Sequence, residues 1–243
     1  MDGVLADFER AYHEVEQRLY GPAGTTTRAG DPEEEAAEEE AEESVDPDAR
    51  PGAAEAASRG REPVDKAAPR HRELRRKRDV VWKTIQATPD FWAGLEPLEV
   101  GAVRRIHEMM LRHRWEVFFI TQRPTTAGET VQRQTQHWLV AQGFDLPSVL
   151  VIPGSRGGAA GALRLDYHVD DSPKNCIDVK SESGAKPLLI LQPPDETSMA
   201  SARRLGIGTA SSIGHALDIL EEASATRAQP TLLHRLAKLV GWH

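Results

Sequence analysis

Cysteine is nearly absent: Cys176 stands alone in 243 residues, which excludes an intramolecular disulfide and any cysteine-based zinc cluster. Aromatic residues are scarce too, 5% against 28% charged and 39% hydrophobic. Such a polar balance leaves some stretch of the chain too poor in apolar side chains to fold. No apolar run reaches the roughly 18 residues of a membrane-spanning helix, so no membrane association is expected. The opening Met1-Asp2-Gly3 reaches charge at once, unlike a secretory signal, and the expected compartment is cytoplasmic. Positive charge is outnumbered, 30 Lys and Arg to 38 Asp and Glu for a net charge of −8. That argues against a nucleic acid polymer as partner and leaves room for a small anionic ligand at a local site.

What is present falls into five stretches. Residues 1–21 open the chain, and composition then breaks sharply. Residues 22–70 are Gly, Pro, Ala, Thr and charge, with the acidic run EEEAAEEEAEE at 33–43. They have almost no aliphatic side chains to offset the roughly 1–2 kcal/mol per residue of backbone ordering, and read as a disordered, solvated insertion or, alternatively, an interaction tail. Residues 71–91 begin with the basic HRELRRKR and continue as a helix through Val80, Val81, Trp82 and Ile85. Residues 92–224 carry the text of a folded α/β domain. The tail, 225–243, sets Leu232, Leu233, Leu236, Leu239 and Val240 against Arg235 and Lys238, an amphipathic helix that packs on the domain or serves a membrane or partner.

Within 92–224 helical and strand periods alternate. Val103, Ile106, Met109, Met110 and Leu111 recur at helical spacing before the apolar run Trp115 to Ile120. A helix over 128–142, a strand at Val149 to Ile152, a short helix at Ala159 to Leu163 and a strand from Tyr167 to Asp171 follow. Pro187 to Gln192 reads as a further strand, and 198–205 and 213–222 as helices. Strands that are mostly apolar and do not alternate, separated by helices, predict a Rossmann-like parallel sheet covered by helices on both faces. In such sheets a ligand sits beyond the carboxyl ends of the strands. The residues there are Asp2-Gly3-Val4, Thr121, Ser155-Arg156-Gly157-Gly158 and Asp170-Asp171: one hydroxyl, one cation and three carboxylates, a set suited to a divalent metal and a phosphate.

Three segments carry a resemblance. Asp2-Gly3-Val4-Leu5-Ala6-Asp7-Phe8, Phe118-Phe119-Ile120-Thr121-Gln122-Arg123-Pro124 and Leu165-Asp166-Tyr167-His168-Val169-Asp170-Asp171 resemble, in order, the first, second and fourth motifs of the haloacid-dehalogenase (HAD) superfamily. Within it the nearest likeness is to the 5'(3')-deoxyribonucleotidase-like phosphatases. The resemblance spans residues 1–21 and about 91–222. It implies a HAD-like core with a small helical cap from about 8–21 and 70–91, the cap carrying the insertion.

The activity that the resemblance implies is magnesium-dependent (Mg2+) hydrolysis of a phosphorylated small molecule such as a nucleoside monophosphate. One aspartate attacks phosphorus to form an aspartyl phosphate, and a second, two residues later, protonates the leaving oxygen and then activates water. Carried over, Asp2 is the second aspartate and contributes to the metal site, Thr121 and Gln122 hold phosphate oxygens, and Asp170 and Asp171 hold magnesium. Arg156 falls where the family places a lysine; a guanidinium still neutralises phosphate but is a planar fork, not a point charge. Lys174, the other nearby cation, ranks below it. The nucleophile belongs two residues before Asp2, after an apolar strand central to the family's sheet. Both are expected from a segment upstream of Met1, and the chain starting at Met1 is expected to be inactive.

Each of these residues also has a plain structural reading. Thr121 can cap its loop, Asp170-Asp171 can cap the helix opening at Ser172-Pro173, and Arg156, read as part of a Gly-rich loop, can be a solvated charge. His168 reads as a packed strand residue, not a metal ligand, and Phe91-Trp92 as a core anchor, with stacking on a nucleobase as the alternative. The rival function is a non-catalytic HAD-like module that binds phosphate, or binds a protein through the acidic insertion.

Overall fold

The computed structural model describes residues 1–22 and 68–228. Apart from its edges, the insertion expected at 22–70 lies outside the described residues, as does the tail from 229 onward. Among the described residues the chain is α/β, with eight α-helices and five strands, all paired in parallel. No described helix is long and apolar enough to cross a membrane.

In α1 (Phe8–Tyr20) the buried residues are Tyr12, Val15 and Glu16, the i, i+3, i+4 spacing of one helical face. α2 (Ala68–Ala87) buries Val81, Trp82 and Ile85 on the same rule. The Tyr12 and Trp82 rings meet edge to face at 5.9 Å, and the Tyr20 hydroxyl donates to the Lys77 carbonyl at 3.4 Å. These segments belong to one unit, Glu9–Phe91 with Arg123–Gly128. Its loop is fastened by the Ala127 amide donating to the Gln86 carbonyl and the Asp90 amide donating to the Ala127 carbonyl.

The second unit holds, among the described residues, Met1–Phe8, Trp92–Gln122 and 129–228. α3 (Ala102–His113) leads to β1 (Phe118–Thr121), and α4 (Val131–Ala141) to β2 (Ser148–Val151). Then come α5 (Arg156–Leu163), β3 (Tyr167–Asp170), α6 (Pro173–Glu182), β4 (Lys186–Ile190), α7 (Glu196–Arg204), β5 (Gly208–Ala210) and α8 (Ile213–Ala228). Trp138 of α4 is buried and donates its indole N–H to the Leu95 carbonyl at 2.6 Å. Phe119 of β1 packs edge-on against Phe144 at 4.9 Å. Trp92, 1% exposed, lies 5.5 Å from the Phe8 ring and donates its amide to Gln134 Oε1. It is a core residue with no face left for a nucleobase.

Two features depart from the sequence reading. One parallel sheet was expected; the described residues form two, β1–β2 and β3–β4–β5. β1 pairs Phe118 with Ser148 through Thr121 with Val151, β3 pairs Tyr167 with Lys186 through Asp170 with Leu189, and no described strand joins them. The first eight residues are fastened elsewhere: Leu98 donates to the Leu5 carbonyl and Asp7 to the Glu96 carbonyl, each at 2.9 Å. Secondly, Arg156-Gly157-Gly158 is not a loop. α5 begins at Arg156 because the Ser155 hydroxyl caps it, accepting from the Gly157 and Gly158 amides. The glycines let α5 lie against α6: a Cβ at Gly157 would collide with the Asp178 carbonyl. The Ser155 hydroxyl also donates to Glu182 Oε2 at 2.8 Å, at the far end of α6.

Candidate functional site

Residues at the carboxyl ends of β1 and β3 meet across the start of the chain. Thr121, the last residue of β1 and 2% exposed, points its hydroxyl at Asp2 Oδ2, 3.5 Å away. Gly3 adopts φ +69°, which side chains rarely tolerate, and a Cβ there would strike the Asp171 carboxylate. Asp2, Thr121 and Asp171 are thus brought together, with Asp170 one residue from Asp171. Gln122 is half-buried behind Thr121, and Arg156 is buried in the first turn of α5. Lys174 is exposed.

The two acids at the end of β3 differ. Asp171 is exposed and Asp170 buried. Neither is the cap of α6: that is Ser172, whose hydroxyl accepts from the Asn175 amide. Asp170 Oδ1 accepts instead from the Ser172 amide at 2.9 Å and from Asn175 Nδ2 at 3.1 Å. Its Oδ2 is 3.1 Å from His168 Nε2, and because an ionised carboxylate only accepts, that nitrogen carries the proton.

Burial is the strongest influence on the Asp170 carboxyl and pushes it up. The His168 hydrogen bond, the Met1 amino group, the His168 ring and the Ser172 amide together outweigh it and hold the pKa at about 2, below the ordinary 3.8. A depressed folded pKa stabilises the fold above the unfolded value, and the contribution is lost as pH falls through the folded value. Asp170 is therefore expected to add on the order of 2 kcal/mol above pH 4 and to lose it towards pH 2. Denaturant titrations of the native chain and Asp170→Asn between those values check this: the native curve falls more steeply with acid, and parallel curves count against it.

Cys176 lies nearby, fully buried, and burial followed by the charges of Asp170 and Asp171 raises its thiol pKa. A thiol kept neutral is a poor nucleophile, so chemistry here falls to the oxygens. Among the described residues no three Asp, Glu, His or Cys side chains form a ready-made metal cage. Magnesium takes oxygen ligands and needs only one or two protein carboxylates beside water and a phosphate, and the carboxylates of Asp170 and Asp171, with the backbone carbonyl of Asp2, are of the right chemistry for it. Reading strand ends had pointed to Asp2, Thr121, Asp170 and Asp171. His168 and Asn175 were not recognised as partners of Asp170; the only signal was their spacing, two residues before it on one strand face and five after it in the next helical turn.

Compared with known proteins, the sequence matches no family model and no curated relative.

Proposed function

We propose that this domain is a HAD-type phosphomonoester hydrolase acting on nucleoside monophosphates. The observation that carries the reading is the meeting of Asp2, Thr121 and Asp171 at the carboxyl ends of β1 and β3, where open α/β sheets hold ligands. The Thr121 hydroxyl donates to a phosphoryl oxygen. Arg156 adds a permanent positive charge at the start of α5, a helix end that favours anions. Asp2 holds the proton that the leaving oxygen takes and afterwards accepts one from the attacking water. Asp170 and Asp171 would hold magnesium, which neutralises charge between phosphate and an attacking carboxylate. This reading requires an attacking carboxylate two residues before Asp2, at the end of a strand.

The test is release of inorganic phosphate from a panel of phosphomonoesters, including the common nucleoside monophosphates, by a chain extended upstream through such a strand and aspartate. Magnesium-dependent turnover of at least one nucleoside monophosphate is expected. Nucleotide binding without phosphate release points to the non-catalytic module instead, and neither binding nor release overturns the reading.

A further inference from the structure

The hydrogen bonds around Asp170 limit how it can meet a cation. A carboxylate offers about four lone-pair sites, two on each oxygen. On Oδ1 both are taken, by the Ser172 amide at 2.9 Å and Asn175 Nδ2 at 3.1 Å. On Oδ2 one is taken, by His168 Nε2 at 3.1 Å. The two side-chain donors are themselves buried, Asn175 at 7% and His168 at 8% exposure. His168 lies two residues before Asp170 on β3 and so on the same face. Asn175 sits in the first turn of α6, where Pro173 and the Ser172 cap fix the backbone.

We infer that Asn175 and His168 are positioning residues that present Asp170 to a divalent cation through a single lone pair on Oδ2. This rests on the magnesium reading above and goes beyond it by naming the ligating atom and the side chains that select it. Magnesium's small octahedral shell suits a one-oxygen carboxylate ligand, whereas a larger ion such as calcium also takes both oxygens. With Oδ1 saturated, the bidentate mode is closed. Partners of this kind fix a ligand's orientation, and losing one typically weakens metal binding 10–100-fold.

The experiment is a Mn2+ titration of the full chain at neutral pH, following free ion by its spin resonance, with near-ultraviolet circular dichroism to confirm folding. The native chain is expected to bind, and Asp170→Asn to lose binding. Asn175→Ala and His168→Leu are expected to bind about 10–100-fold more weakly while still folded. His168→Gln, which keeps an amide donor near the position of Nε2, stays close to native. If Asp170→Asn loses the ion but folded Asn175→Ala and His168→Leu bind as tightly as native, the positioning role is overturned and the magnesium reading stands. If the native chain does not bind, or Asp170→Asn binds as well as native, the magnesium reading falls and takes this inference with it. Should both variants fail to fold, a crystal structure of the native chain with Mn2+ decides: ligation by Oδ2 alone supports the inference, and ligation by Oδ1 or by both oxygens overturns it.

Discussion

Asp2→Asn, made in a chain that carries an aspartate two residues upstream, is expected to lower phosphomonoester turnover by about 10²–10⁴-fold, the usual worth of a positioned acid or base. Asparagine matches aspartate in shape and can still meet the Thr121 hydroxyl, now 3.5 Å from Asp2 Oδ2, so the strand ends keep their arrangement. It cannot hold or accept the transferred proton. The loss therefore falls on kcat and leaves KM near its native value, the signature of an interaction made only in the transition state. The loss is expected to be smallest for substrates with acidic leaving groups, which depart without a proton. A variant that keeps native kcat on an alkyl phosphate removes Asp2 from the proton path. The 243-residue chain, without that upstream carboxylate, is expected to show no turnover on the same substrate, and a rate matching the extended chain sinks the assignment of Asp2.

The second large effect concerns stability. β1 pairs only with β2 and β3 only with β4 among the described residues, while Asp2 and Gly3 adjoin the carboxyl ends of both. A strand added ahead of Met1 would start from a point next to the ends of both. Phe119, Ile120 and Thr121 of β1 and His168 and Asp170 of β3 are buried, and a backbone group buried there without a partner costs roughly 1–3 kcal/mol. Pairing several such groups is comparable with the whole stability of an ordinary domain, about 5–15 kcal/mol. A strand added ahead of Met1 is therefore expected to raise the melting temperature and sharpen the transition. Hydrogen exchange reports it locally, as slow amides on β1 and β3 in the extended chain and fast ones in the 243-residue chain. Equal protection in both chains means that another segment already occupies the gap.

The sequence was legible where one physical rule dominates. β1, β2 and β4 are short, mostly apolar runs and β3 sits between two helical segments, and the positions of all four followed from the sequence within three residues at each end. β5, Gly208–Ala210, was missed because Gly-Thr-Ala carries no apolar run; it is held by pairing with β4, from Leu188–Gly208 to Ile190–Ala210. Arg156 was misplaced in a loop because Gly157-Gly158 reads as a turn. Only the neighbouring α6 reveals that the glycines serve a close helix approach, and the Ser155 cap starts the helix before them. Strand ends can be read from the chain, which is why Asp2, Thr121, Asp170 and Asp171 stand out in the sequence, and the structure places Asp2, Thr121 and Asp171 together. The partners of Asp170 could not be, because Asn and His side chains reveal a hydrogen bond only when their rotamers are known.

The contact between α5 and α6 bears on how variants of this domain are to be sorted. Gly157 touches the Asp178 carbonyl region, and Ser155 bonds Glu182. Arg156 is thus carried on a helix braced against the one whose other end bears Asn175. A methyl group at 157 pushes that brace apart and shifts the guanidinium without altering any charge. A screen scored by activity alone would rank Gly157 beside Arg156 as chemically essential. Thermal denaturation separates them, since loss of the brace lowers the melting temperature and loss of the charge alone need not.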